Sequence, residues 1–171
     1  MTTTELATEP SDDGQKATPN QPKQTKADKK PSTTALIIDD EPANRDFLLR
    51  LIEQVKYTTV GAGSGKEARQ LLAGMKQAPR LIVVDRELPD CEGIELLKQF
   101  RKDYPESLLV MATMHDDLAV IREAFECGCN VFLVKPHGFM ELFKRLSRLD
   151  DDPEALNNLV IDRMGVRAFR R

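Results

Sequence analysis

Cysteine is scarce: three in 171 residues, an odd number that builds no disulfide framework and fits a reducing, cytoplasmic setting. An excess of charge of one sign is missing as well. With 25 Lys and Arg against 28 Asp and Glu, the net charge is −3, which excludes a strongly basic nucleic-acid binder and leaves room only for a local patch. Long hydrophobic runs are absent too. The longest, at 35–38, 81–84 and 108–112, fall far short of the roughly 18 residues of a membrane span. The opening Met-Thr-Thr-Thr-Glu has neither the basic start nor the apolar stretch of a secretory signal. A soluble cytoplasmic protein with no membrane contact is expected, large enough for one domain and a remainder.

Residues 1–32 hold Pro10, Pro19, Pro22 and Pro31, with Met1 and Leu6 as their only large apolar side chains. So little apolar surface does not offset the entropy of ordering, and a disordered N-terminal extension is expected, either a passive tail or a docking arm. From Thr33 the texture changes. Short apolar or β-branched runs at 35–38, 57–62, 81–84, 108–113 and 131–134 alternate with stretches of helical spacing such as Phe47, Leu48, Leu51, Ile52 and Val55. Five such alternations predict a doubly wound, five-stranded parallel sheet with helices on both faces over residues 33–149. Pro42, Ser64 before Gly65-Lys66-Glu67, and Asp116 before Leu118 read as helix starts. Residues 150–171 are expected to form a helical extension, because Asp152-Pro153-Glu154 opens well and Leu156, Leu159, Val160 and Met164 make a stripe ending at Gly165. That helix would pack on the domain, pair two copies in a homodimer, or lead to an output region.

The functional crevice of an open parallel sheet lies beyond the carboxyl ends of its strands. The first run leads into Asp39-Asp40-Glu41, the third into Asp85, the fourth ends at Thr113 and the fifth at Lys135-Pro136. Three carboxylates gathered at one edge repel unless a cation sits among them, and oxygen-only ligands select a hard ion, Mg²⁺ before Zn²⁺. A lysine and a threonine hydroxyl beside that ion suit a transferred phosphoryl group, with Asp85 as the carboxylate nucleophile that needs no general base.

Residues 34–149 resemble the receiver domain of bacterial two-component response regulators. The likeness is carried by Leu36-Ile37-Ile38-Asp39-Asp40-Glu41-Pro42, by Leu81 to Gly93 around Asp85, by Val110-Met111-Ala112-Thr113, and by Gly128 to Pro136. It implies a flavodoxin-like fold with strand order 2-1-3-4-5. It implies that Asp85 accepts a phosphoryl group from a sensor histidine kinase, a phosphotransfer protein or a small phosphodonor. It further implies that Asp40 and Asp85 hold Mg²⁺ directly, Asp39 through water, and Glu87 through its backbone carbonyl. Lys135 and Thr113 would grip the phosphoryl oxygens, Phe132 would follow Thr113, and Lys135-Pro136 would be cis. Output to a downstream protein would use the fourth helix, fifth strand and fifth helix.

Some positions depart from the family pattern. Met114 replaces the usual small residue and would narrow access to Asp85, Arg86 replaces an apolar one, and Glu87 and His115 flank the pocket where they would tune the phosphoryl lifetime. Gly61 to Lys66 is not a phosphate loop, since Val60 stands where the first Gly is needed and Glu67 where the hydroxyl is. Cys127-Gly128-Cys129 has no second pair for zinc. The expected function is a phosphorylation-dependent switch, not a turnover enzyme, that loads and unloads its own phosphoryl group and acts through protein contacts without direct nucleic-acid binding. A phosphorylation-independent adaptor of the same fold is the alternative, and a Mg²⁺-dependent phosphatase the third.

Overall fold

The computed structural model describes residues 32–170. Apart from Ser32, the expected N-terminal extension lies outside the described residues. The elements alternate along the chain as β1 (Thr34–Ile38), α1 (Pro42–Glu53), β2 (Thr58–Ala62), α2 (Gly65–Gly74), β3 (Leu81–Asp85), α3 (Gly93–Asp103), β4 (Leu108–Thr113), α4 (Leu118–Glu126), β5 (Val131–Val134) and α5 (Phe139–Leu146). The β1–β5 strands are parallel in the order 2-1-3-4-5. Strands covered by helices on both faces bury every side chain, which is why β3 reads as the unbroken apolar run Leu81-Ile82-Val83-Val84, all buried.

Alternation along each strand splits the core in two. Leu36, Ile38, Ile82, Val84, Leu109 and Met111 face α2, α3 and α4 and pack with Leu72, Leu97, Phe100 and Phe125. Ala35, Ile37, Leu81, Val83 and Val110 face α1 and α5 and pack with Leu48, Ile52, Phe139 and Leu142. At about 1.5–3 kcal/mol for each large apolar side chain fully buried, these two layers dominate the favourable energy.

Helix starts follow local chemistry, with one shift. Pro42 occupies the first turn of α1, and Glu41 accepts from the Ala43 N–H at 3.5 Å. Ser64 caps α2 by accepting from the Glu67 N–H at 3.1 Å, while Glu67 reaches back one residue further than expected, to the Gly63 N–H at 2.7 Å. Asp117, not Asp116, precedes α4, and it makes no side-chain cap. Among the described residues, no helix is long and apolar enough to cross a membrane.

The C-terminal extension is not helical. Residues 159–162 form β6 (Leu159–Asp162), which adds parallel to the free edge of β5, and residues 165–168 form β7 (Gly165–Ala168), antiparallel to β6, so the sheet has seven strands. Val160 and Ile161 are β-branched and find a ready edge in β5, which overrides the helical spacing of the stripe. Gly165 takes φ +108° and Asn158 φ +53°, left-handed conformations that break a helix on both sides of β6. Met164, expected on the apolar stripe, lies in the turn, 91% exposed.

Candidate functional site

The C-terminal ends of β1, β3, β4 and β5 meet at one edge. Asp39 follows β1, its N–H donating to the Ala62 carbonyl at 3.0 Å. Its Oδ1 accepts from the Glu41 N–H at 2.9 Å, and its own carbonyl accepts from Arg45 Nη1 at 2.8 Å. Asp85 is the last residue of β3. The turn after it folds back tightly: the Gly93 N–H donates to the Arg86 carbonyl at 2.7 Å, and a Cβ on Gly93 would lie 2.0 Å from the Asp85 carbonyl oxygen. Only glycine fits there.

Lys135 reaches in from the end of β5. Its N–H donates to the Thr113 carbonyl at 2.7 Å, its peptide bond to Pro136 is cis, and its Nζ donates to Asp39 Oδ2 and to Asp85 Oδ2, each at 2.9 Å. All three side chains are nearly closed to solvent. Asp40 is exposed, yet Asp39, Asp40 and Asp85 each offer a carboxylate oxygen within 4.8 Å of the others. One lysine therefore faces three acids.

That imbalance appears in the proton affinities. Burial raises Asp85 from 3.8 to about 6, with Asp39 adding to the rise, against the opposing pull of Lys135 and the Glu87 backbone N–H. For Lys135, burial works against the charge, but the hydrogen bonds to Asp85 and Asp39 outweigh it and hold the ammonium above its usual range. The lysine stays charged, while the carboxylate is only partly compensated.

Thr113 is buried at the end of β4, and its Oγ1 accepts from the His115 N–H at 3.2 Å. Phe132, on β5 opposite Met111, is fully buried. Met114 is 58% exposed on the loop between β4 and α4. His115 Nε2 stands 3.8 Å from Glu87 Oε1, both side chains mostly in solvent at the rim. Asp39, Asp40, Asp85, Thr113, Glu87 and Lys135 are thus gathered at one edge, and Phe132 lies one layer beneath.

Two features escaped sequence reasoning. Asp39, expected to reach Mg²⁺ through water, also accepts directly from Lys135 Nζ, a pairing that was not anticipated. Asp90 braces the edge from a distance: its carboxylate accepts from the Gly65 N–H at 2.8 Å and the Lys66 N–H at 2.7 Å, bonds that hold it below the usual carboxylate range. No local signal marks Asp90, because its partners lie 24 and 25 residues away.

Comparison with known proteins agrees with this geometry. A family model described as the response regulator receiver domain matches residues 35–147. The response regulator protein PilR of Pseudomonas aeruginosa is 35% identical over 102 residues, covering 60% of this chain and 22% of PilR. The two-component response regulator ARR22 of Arabidopsis thaliana is 32% identical over 124 residues, covering 72% of this chain and 87% of the relative. A CheY-like receiver domain protein from Methanospirillum hungatei superposes with a TM-score of 0.64 at 25% identity, over 72% of this chain and 98% of that one. The chain spans only 21–46% of the length of three other-length curated relatives, PilR among them. The chain belongs to the response regulator receiver domain family.

Proposed function

We propose that this protein is a phosphorylation-dependent signalling switch in which Asp85 accepts a phosphoryl group from a sensor histidine kinase, a phosphotransfer protein or a small phosphodonor. The observation that carries the reading is the placement of Lys135 Nζ, 2.9 Å from both Asp39 and Asp85 at the mouth of the sheet. In the transfer from phosphohistidine, an Asp85 oxygen attacks phosphorus, the P–N bond breaks as the acyl P–O bond forms, and the leaving imidazole takes a proton from solvent. Lys135 pivots from the Asp85 oxygen to a phosphoryl oxygen, and the Thr113 hydroxyl turns from the His115 N–H to donate to another.

An all-oxygen donor set of three carboxylates, left short of positive charge, fits a hard divalent cation. Asp40 and Asp85, with Asp39 and the Glu87 carbonyl, would hold Mg²⁺, which supplies neutralisation of the phosphoryl charge. Unloading by water returns the free carboxylate, so the chain turns over its own phosphoryl group and no external substrate. Output is proposed to run through protein contacts in the cytoplasm rather than through nucleic acid.

One observation favours the adaptor alternative: Phe132, the side chain expected to move with Thr113, is already fully inside. Beryllofluoride with Mg²⁺, added to wild type and to Asp85→Asn, separates the two readings. Saturable binding in wild type alone supports the switch, and binding in neither supports the adaptor.

A further inference from the structure

The residues beyond the family match, which ends at 147, grip the free edge of β5 from both faces. On the α5 side, Leu149 and Leu156 are buried among Phe139, Leu142 and Leu146, and Arg145 Nη1 donates to the Ala155 carbonyl at 3.0 Å. On the α4 side, Phe169 stacks on Phe125, with centroids 4.1 Å apart and planes 7° from parallel. Between them β6 pairs with β5 through Val131–Leu159, Phe132–Val160 and Leu133–Ile161.

Phe132 is fully enclosed in this arrangement. Across the sheet it has Met111 on one side and Val160 on the other, and Phe125 and Phe169 belong to the same apolar layer. Without β6 the ring would sit on an edge strand with open space toward solvent. With it, the sideways exit is closed by Val160 and by the Phe125–Phe169 stack, and full burial follows. The same short strand that holds Phe132 leads straight into Lys135, and Phe132 lies on the same sheet face as Thr113, two residues below it in register. A ring kept inside lies beneath Thr113 on that face, where it would oppose a downward turn of the Thr113 side chain.

We propose that the β6–β7 hairpin is a built-in strap that locks Phe132 inward and thereby couples its own docking, positively, to phosphoryl occupancy at Asp85. The coupling rests on the switch reading above; the lock does not. Because coupling between two events is reciprocal, occupancy must tighten the hairpin by the factor by which the hairpin tightens occupancy. The strap also replaces a movable aromatic with a movable hairpin as the reporter of the site.

The test uses the full chain and the double variant Val160→Ala/Phe169→Ala. In the free proteins, NOEs from the Phe132 ring to Met111 are expected in wild type and lost in the variant; retention of those NOEs in the variant would overturn the lock. Exchange of amides in β1 and β3 should match wild type, which keeps loss of the lock distinct from loss of the fold; if those amides also exchange freely, Phe169→Ala alone is used with the same criteria. With Mg²⁺ and beryllofluoride as the probe, the midpoint is expected to weaken about tenfold in the variant, and hairpin amides in wild type to slow by a similar factor on binding. Wild type that binds the probe with hairpin exchange and variant midpoint both unmoved overturns the coupling alone. Wild type that fails to bind, or Asp85→Asn that binds equally, overturns the switch reading and the coupling with it, while the NOEs still decide the lock.

Discussion

Replacing Asp85, the proposed acceptor, should stabilise the fold, and by an amount that depends on pH. Asp85 is nearly closed to solvent, and burial lifts it from 3.8 to about 6 in spite of the Lys135 ammonium at 2.9 Å. A folded-state value raised above the unfolded one means that the protonated acid favours folding. That contribution is complete below the unfolded value of 3.8 and is lost as pH rises through about 6. At 1.36 kcal/mol per unit, the ionised carboxylate costs at most about 3 kcal/mol at neutral pH. Asp85→Asn removes the charge while its amide oxygen still accepts from Lys135, so the variant should exceed wild type by about 2 kcal/mol above pH 7. The two should converge near pH 4. Lys135 stays charged throughout this window, since its own affinity for the proton is raised. Urea unfolding of both proteins in EDTA across this range measures the difference at constant m. An Asp85→Asn variant no more stable at neutral pH, or a difference that ignores pH, would refute the reasoning. Added Mg²⁺ should narrow the gap, because an ion that binds only the folded wild type stabilises it by mass action.

Three further outcomes are expected. Met114→Ala should speed both loading and loss of the phosphoryl group at Asp85, measured by time courses with a small phosphodonor; equal rates in both directions would remove any gating by the thioether. Gly93→Ala should cost about 2–3 kcal/mol and abolish phosphoryl acceptance, because the new methyl meets the Asp85 carbonyl at 2.0 Å and must push the end of β3 away; wild-type stability and loading would contradict the tight turn. His115 and Glu87 face each other across 3.8 Å at the rim, so His115→Ala and Glu87→Ala should each change the rate of phosphoryl loss, measured by dephosphorylation time courses. Wild-type rates in both variants would count against the pair.

Much of this was legible because the information is local. The β1, β3, β4 and β5 strands are short apolar runs that end in a polar residue or lead straight into one, and in a parallel sheet the run and the polar residue at its end together give both the core and the site. Asp85 after Leu81-Ile82-Val83-Val84 and Lys135 after Val131-Phe132-Leu133-Val134 are the clearest cases. The hairpin was misread because Leu156, Leu159, Val160 and Met164 suit a helical stripe as well as a strand and turn. What decides between them is the free edge of β5, where Leu159 meets Val131, 28 residues back along the chain, together with positive φ at Asn158 and Gly165. The Asp90 brace and the direct Asp39–Lys135 contact were hidden for the same reason. The carboxylate of Asp39 had a charged partner 96 residues on, and no spacing rule reaches that far.

The most direct test is where a phosphoryl group lands. Incubation of the full chain with a small acyl phosphate and Mg²⁺, followed by intact-mass measurement and peptide mapping, should show one phosphoryl group on Asp85, absent in Asp85→Asn and strongly reduced in Lys135→Ala. An unmodified wild-type chain, or the same modification in Asp85→Asn, would contradict the account.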